Sequence, residues 1–145
     1  MPTDNKALVH RWFEEVWNKK REEAIREILD PEVVIHGLGE PPGEARRGPE
    51  GFVEVWKKFV SAFPNIRVTV ERVVAEGEYV VAQCSVRGNH TGKGFGIEAT
   101  NREMVFTGMV MIRVKDGRFC EGWNNFDFLA LYQQVGMVTM NLPAS

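Results

Sequence analysis

Hydrophobic residues in the first part of the chain recur every three or four positions, which is the spacing of an amphipathic helix. Two such stripes run through residues 5–29, separated by polar residues 18–20, and a third runs through residues 52–63. The pattern therefore predicts three helices, with a bend between the first two. Thr3 or Asp4 is expected to cap the first helix, because short polar side chains accept hydrogen bonds from the free amides of a first turn.

After Pro64 the hydrophobic spacing shortens to alternation, the pattern of a strand with one buried face. The predicted elements are a short extended piece over 33–36, a strand from 66 to a turn near 77, strands over 79–90, 103–115 and 118–125, and a closing helix over 128–135. Helices followed by a meander of strands indicate the α+β class rather than alternating α/β.

The third long strand is apolar on both faces. One face carries Phe106, Val110, Ile112 and Val114, and the other carries Val105, Met109 and Met111. The helices can cover only one face of the sheet, whereas an antiparallel sheet with one solvated face reads polar on that side. We therefore expect a second copy of the chain to cover the other face, giving a homodimer through the sheet.

Length and charge exclude several classes of protein. The 145 residues match one ordinary domain, so residues 1–145 are expected to form a single domain. The net charge of −2 lacks the basic surplus of a nucleic-acid-binding protein. Apolar runs reach only about five residues, against the roughly 20 of a membrane-spanning helix, and no secretory signal is visible. These features favour a cytoplasmic protein with neither nucleic acid nor membrane as a partner.

Metal-binding and thiol chemistry are not indicated. Cys84 and Cys120 have no nearby cysteine partner, and the three histidines are widely scattered. Zinc and iron sites need ligands at characteristic spacings or in clusters. The sequence therefore predicts no metal site.

Five segments of the chain resemble the SnoaL-like polyketide cyclase (ester cyclase) family of the nuclear transport factor 2-like superfamily. They are DPEVVIHG at 30–37, FPNIRV at 63–68, RGNHTG at 87–92, FCEGW at 119–123 and LALYQQVG at 129–136. The resemblance implies a cone-shaped, curved antiparallel sheet with three N-terminal helices packed on its concave face. It also implies one deep apolar pocket, no cofactor, and a homodimer through the sheet.

The resemblance also directs attention to three polar side chains. The family's acid/base aspartate on the last strand aligns with Asn124, which can form hydrogen bonds but cannot transfer a proton. Asp127 is the substitute for that role, or else the N-cap of the closing helix. His36 matches a histidine of the family, and it is either a general base or a structural group bound to a loop carbonyl.

The aromatic and apolar side chains that would form a pocket wall follow from the same resemblance. Aromatic walls favour flat or cyclic apolar ligands. His90 lies in the family's His-x-Gly pattern and is either a wall residue or a structural histidine. The predicted substrate-binding residues are Trp17, Trp56, Phe59, His90, Phe106, Val110 and Trp123.

We therefore expect a cofactor-independent enzyme that carries out acid/base chemistry on a small apolar cyclic or carbonyl compound, with His36, Asp127 and Asn124 as catalytic residues. Epoxide hydrolysis is one alternative, with a water between Asn124 and Asp127 and with Arg102 or Arg113 available. A non-enzymatic protein that only binds an apolar ligand is the other. An enzyme should bring His36, Asn124 and Asp127 to one cavity.

Overall fold

A computed structural model describes residues 4–141 and residue 143. The helices are α1 (Asn5–Trp12), which continues as a π-helical segment (Phe13–Asn18), α2 (Glu22–Ile28), α3 (Gly48–Ala62) and α4 (Phe128–Gln134). Asp4 caps α1, since its carboxylate accepts a hydrogen bond from the Ala7 amide at 3.1 Å. The alternative cap, Thr3, lies outside the described residues.

The bend predicted after α1 is held by Asn18. Its side-chain oxygen accepts a hydrogen bond from the Val68 amide at 2.7 Å, and its nitrogen donates to the Val68 carbonyl at 3.0 Å. Asn18 thus pairs with a strand backbone as a neighbouring strand would, and this fixes the end of the π-helical segment against the sheet.

Six strands form one curved sheet in the order β2-β1-β6-β5-β4-β3. The strands are β1 (Leu29–His36), β2 (Arg46–Arg47), β3 (Arg67–Glu76), β4 (Tyr79–Asn89), β5 (Glu103–Lys115) and β6 (Arg118–Phe126). β1 pairs with β6 in parallel, whereas the other neighbours are antiparallel. The α+β class, the meander and the order of elements are as predicted. The parallel β1–β6 pair corrects the expectation of a purely antiparallel sheet, because β1, the first strand along the chain, lies beside the last strand and no hairpin joins the two.

The helices pack on one face of this sheet, which we call the inner face, and the core lies between them. On β4 the inner face carries Val80, Ala82 and Cys84, which are fully buried. Burial raises the pKa of the Cys84 thiol to about 12, so this cysteine stays protonated and acts as a small apolar core residue. The opposite face, which we call the outer face, carries Met109 and Met111 of β5 and leaves them exposed.

A bulge in β6 decides which of its side chains reach the core. The register shifts between Arg113 and Val114, so that Phe119 lies opposite Val114 and Glu121 lies opposite Arg113, with Cys120 left over. The bulge re-aims the strand that follows it. Beyond it Gly122, Asn124 and Phe126 belong to the inner face, and Glu121, Trp123 and Asn125 belong to the outer face.

No helix within the described residues is long and apolar enough to cross a membrane.

Candidate functional site

An apolar cavity lies between the helices and the inner face of the sheet, with about 790 Å³ of empty space when its open end is included. Its wall is formed by the first helices, α3, the inner face of the sheet, and the start of α4. The cavity is lined by Trp12, Phe13, Trp17, Leu29, Val33, Ile35, Leu38, Phe52, Val55, Phe59, Ile66, Val68, Val86, Phe106, Val110, Ile112, Phe119, Glu121, Gly122, Asn124, Phe126 and Phe128. Such a wall suits a flat apolar compound.

Asn124 brings a polar side chain to this wall. It lies on β6 opposite Val110, and its side-chain nitrogen donates to the His36 carbonyl at 3.0 Å. A carbonyl oxygen can only accept, so this bond fixes the orientation of the amide. One N–H and the side-chain oxygen of Asn124 have no partner among the described residues, and they are free to bind a ligand.

Gly37 makes the contact between Asn124 and the end of β1 possible. A Cβ atom at Gly37 would lie 2.1 Å from the Asn124 backbone oxygen, and the φ angle of Gly37 is +85°. Both features require glycine, because any other residue would clash and would strain the backbone. The pocket end of β1 is therefore built around this close approach.

His36 lies on the other side of the sheet from the cavity. It pairs in register with Trp123, and the two rings stack at 5.5 Å. Its Nε2 atom is 2.7 Å from a carboxylate oxygen of Glu121. Glu121 is a register partner of Arg113, whose guanidinium binds Glu78 on the outer face. The His36 side chain thus belongs to an outer-face cluster, and only its backbone carbonyl reaches Asn124.

Asp127 acts as the N-cap of α4. Its carboxylate accepts a hydrogen bond from the Ala130 amide at 3.0 Å, and the residue is exposed. It does not line the cavity. Of the three predicted catalytic residues, the structure brings only the side chain of Asn124 to the cavity. The predicted convergence of His36, Asn124 and Asp127 is therefore not found.

Four of the seven residues predicted to bind substrate do line the cavity: Trp17, Phe59, Phe106 and Val110. The other three are corrections, and each has a different reason.

Trp56 is a buried structural residue, because its indole N–H donates to the Val16 carbonyl at 2.9 Å and the ring packs in the core. Trp123 points to the outer face and stacks on His36. Strict alternation from Phe119 would place Trp123 on the inner face, and the bulge at Cys120 moves it to the outer face.

His90 is fully buried behind Phe63 and away from the cavity. Its Nδ1 atom accepts a hydrogen bond from the Thr100 amide and lies 3.0 Å from the Thr100 hydroxyl. Burial lowers the pKa of His90, so the neutral ring is favoured. Through these contacts His90 binds Thr100 and so holds the two ends of one loop together.

Sequence reasoning missed Glu121 and the aromatic contact of Trp12 with Phe52 and Phe119. Glu121 borders the cavity through its strand, although its register places the carboxylate on the outer face. A carboxylate between Phe119 and Trp123 was the available signal. The Trp12 ring lies 4.9 Å from that of Phe52 and 5.4 Å from that of Phe119, and all three line the cavity.

The two arginines of the hydrolase alternative are engaged elsewhere. Arg113 binds Glu78 at 2.9 Å on the outer face, and Arg102 donates to the Gln134 carbonyl at 3.4 Å. Neither lines the cavity. Among residues 4–141 and 143 there is no carboxylate–arginine relay around Asn124, so the arrangement does not favour epoxide opening.

An apolar cavity under a curved six-stranded sheet, with a polar side chain on the last strand, is the architecture of the nuclear transport factor 2-like cyclases. The sequence profile of the SnoaL-like polyketide cyclase family matches residues 7–135. The chain belongs to this family.

Its relatives include polyketide cyclases. The chain is 30% identical over 133 residues to aklanonic acid methyl ester cyclase DnrD of Streptomyces peucetius, covering 89% of this chain and 88% of that protein. The crystal structure of IdmH, a proposed polyketide cyclase from Streptomyces antibioticus, has a TM-score of 0.80 and 31% identity, covering 92% of this chain and 99% of that one. AclR of Streptomyces galilaeus, a proposed hydroxylase, matches with a TM-score of 0.79 at 21% identity, covering 95% of this chain and 87% of that one. The last likeness shows the fold alone.

Proposed function

We propose that the chain is a cofactor-independent cyclase or isomerase that acts on a largely apolar, cyclic carbonyl compound of the polyketide type. The observation that carries the proposal is the Asn124 amide, held in a fixed orientation on a wall of aromatic and aliphatic side chains. The family and the relatives with cyclase names support the same class of substrate.

Asn124 would act on the oxygen of the reacting carbonyl. Its free N–H can donate to that oxygen as negative charge develops during enolisation, and its side-chain oxygen can accept from a neighbouring hydroxyl. A fixed donor in an environment poor in water stabilises such a charge strongly, and loss of one donor of this kind costs a factor of about 10² to 10³ in rate. The amide need not reorganise, because the His36 carbonyl already holds it.

Proton transfer by His36 or Asp127 is not supported by their positions. His36 and its partner Glu121 lie on the outer face, and Asp127 caps α4. The contribution of this chain is then to hold the substrate in a folded, reactive conformation and to polarise its carbonyl. Positioning of this kind can supply several kcal/mol in an intramolecular ring closure, on the order of 7 or more in the best cases. Water at the open end of the cavity takes up the carbon-bound proton, the enolate carbon forms a bond to the second carbonyl carbon, and water returns a proton to the alkoxide oxygen, which becomes the new hydroxyl.

A ligand-binding protein without turnover is the second candidate. One observation favours it: Asp127 caps α4 and does not line the cavity. Asn124, whose amide cannot transfer a proton, therefore lacks Asp127 as a proton-transfer partner in the wall. Both candidates use the same cavity, so they differ only in whether the bound compound reacts.

The deciding experiment follows aklanonic acid methyl ester, the compound in the names of the relatives, by chromatography with the purified chain and with buffer alone. We expect ring closure faster than in buffer, unaffected by a chelator. Asn124→Leu should reduce turnover by about 10² or more. Asn125→Leu, one position along on the outer face, is the matched control and should retain it. Tight binding with no product in any sample would instead support the ligand-binding candidate.

We also propose that the chain forms a homodimer through the outer face. Register partners Val74, Val81, Met111 and Trp123 form one apolar row across four strands, and Val74 is 55% exposed. Contiguous exposed apolar rows of this kind mark interfaces.

Light scattering during size exclusion tests the dimer. The wild-type chain should have twice the monomer mass, and Met111→Glu should have the monomer mass, because a carboxylate would be buried without a partner. Lys58→Glu on the exposed side of α3 is the control and should stay dimeric. A wild-type chain that runs as a monomer at micromolar concentration would contradict the proposal.

A further inference from the structure

Leu38 is a cavity residue that belongs to no helix or strand. It lies two residues after the end of β1, lines the cavity, and is partly exposed, so it lies at the rim where the cavity opens. It stands between Gly37 and Gly39, which both have positive φ angles, and a Cβ atom at Gly39 would meet nothing within 4 Å. The local backbone therefore does not by itself hold Leu38 in place.

Glu40 holds the amide of Leu38. Both carboxylate oxygens of Glu40 lie within hydrogen-bond distance of the Leu38 N–H, at 2.9 and 3.2 Å. The Glu40 side chain is only 8% exposed, although it lies in a surface loop. A carboxylate is rarely buried without a compensating partner, because desolvation of the charge is costly.

Arg46 is that partner, and it also holds the carbonyl of Leu38. Its guanidinium Nε atom is 3.6 Å from Glu40, and its Nη2 atom donates to the Leu38 carbonyl at 3.5 Å. Arg46 lies on β2 opposite Ile35, itself a cavity residue of β1. The anchor is therefore part of the sheet, whereas Glu40 is part of the loop.

We propose that Glu40 and Arg46 form a clasp on both backbone polar groups of Leu38, and that this clasp positions Leu38 to limit which ligands enter the cavity. Glu40 and Arg46 are positioning residues, and Leu38 is the residue that determines selectivity. The inference rests on the proposed use of the cavity as a binding site. Opening the clasp swings Leu38 away from the rim about its flanking glycines.

The Arg46 Nε–H shows that the clasp has room to tighten. This atom is buried and has no hydrogen-bond partner among the described residues. A buried donor without a partner is unfavourable. A movement of Glu40 toward Arg46 by a few tenths of an ångström would satisfy it. A ligand that presses Leu38 outward would oppose that movement. The distance between Glu40 and Arg46 would therefore depend on how well the ligand fits the cavity.

The first measurement needs no ligand. Hydrogen exchange of the Leu38 amide, followed by NMR, should be about tenfold faster in Glu40→Ala than in the wild type, because both acceptor oxygens of the Leu38 N–H are removed. Glu44→Ala is the matched control: Glu44 is an exposed carboxylate of the same loop, and its variant should exchange at the wild-type rate. Unchanged Leu38 exchange in Glu40→Ala would overturn the clasp.

The second measurement uses N-phenyl-1-naphthylamine, a neutral fluorescent probe, in stopped flow. Probe release should be about tenfold faster in Glu40→Ala and in Arg46→Gln, and Arg47→Gln, at the exposed neighbouring arginine, should match the wild type. Leu38→Ala should admit bulkier aryl amines that the wild type excludes.

The outcomes separate the clasp from the proposed function. Faster amide exchange with unchanged probe release in these variants would show that the clasp exists but does not control entry, which overturns the selectivity role while the cavity remains a binding site. A wild-type chain that binds neither the probe nor the ester would count against the proposed function and against selectivity, and the amide exchange would still decide the clasp. If Glu40→Ala does not fold, Arg46→Gln tests the positioning of Leu38 through probe release, because it removes the ion pair with Glu40 and the bond to the Leu38 carbonyl.

Discussion

The two faces of β6 differ in what they can do, although they are made from adjacent residues. Asn124 and Asn125 are identical side chains one position apart, yet Asn124 borders an apolar cavity and Asn125 is exposed on the outer face. The inner face offers a single fixed amide among apolar side chains. The outer face carries the titratable pair of His36 and Glu121.

This difference shows that the energetic contribution of a polar side chain depends on the face of the sheet on which it lies. On the inner face one amide can bind a ligand strongly, because the wall is apolar and few other polar groups or waters compete for the hydrogen bond. On the outer face a contact such as that of His36 with Glu121 is partly exposed to solvent and contributes little to stability. A search for proton-transfer residues by type alone therefore selects the wrong face.

The largest expected effect lies at Gly37, where β1 contacts β6. Gly37→Ala should lower the free energy of unfolding by about 3 kcal/mol, through a clash with the Asn124 backbone oxygen and an unfavourable φ. Gly39→Ala is the control, because Gly39 also has a positive φ but an added Cβ atom there would meet no neighbour. This variant should lower the free energy of unfolding by about 1 kcal/mol. Urea unfolding measures both. Equal losses would mean that the close approach at Gly37 does not matter.

A smaller effect tests whether Asp127 is only a cap. Asp127→Ala should lower the free energy of unfolding by about 1 kcal/mol, since the Ala130 amide loses its partner. Asp127→Asn keeps a capping oxygen and removes the carboxylate, so it should retain both stability and turnover. A loss of turnover in Asp127→Asn with stability intact would show that the carboxylate takes part in the reaction.

The smallest effect is a pH dependence from His90. Burial and the bond from the Thr100 amide hold the pKa of this imidazole below its ordinary 6.5, so the unfolded chain binds the proton more readily. Stability is therefore full above pH 6.5 and falls as the pH drops toward the folded-state value. Urea midpoints between pH 5 and 8 should show this slope, and His90→Gln should flatten it. An equal slope in the variant would assign the effect to other groups.

Much of the fold could be predicted from periodicity. The third long strand was predicted over residues 103–115 and is found as β5, Glu103–Lys115. Its two apolar faces were also predicted, and Val110 is buried whereas Met109 is 50% exposed. Alternation is a local property of the strand, so no tertiary information was needed.

The site was predicted less well. Trp17, Phe59, Phe106 and Val110 were predicted to line the cavity and do so. Trp123 was assigned to the wall, and it lies on the outer face because Cys120 is left out of the β5–β6 register. A one-residue bulge inverts the faces of every later residue, and nothing in the local pattern marks it.

The sequence by itself determined the class of fold, the order of the elements and the family, because these depend on hydrophobic periodicity and on short motifs read along the chain. Only the tertiary structure decided which polar side chain meets the cavity. That outcome depends on the bulge at Cys120, the parallel β1–β6 pair and the close approach of Gly37 to Asn124. The last two are contacts between segments about 85 residues apart, and the periodicity of either segment carries no information about the other. The bulge appears only in the pairing of β5 with β6.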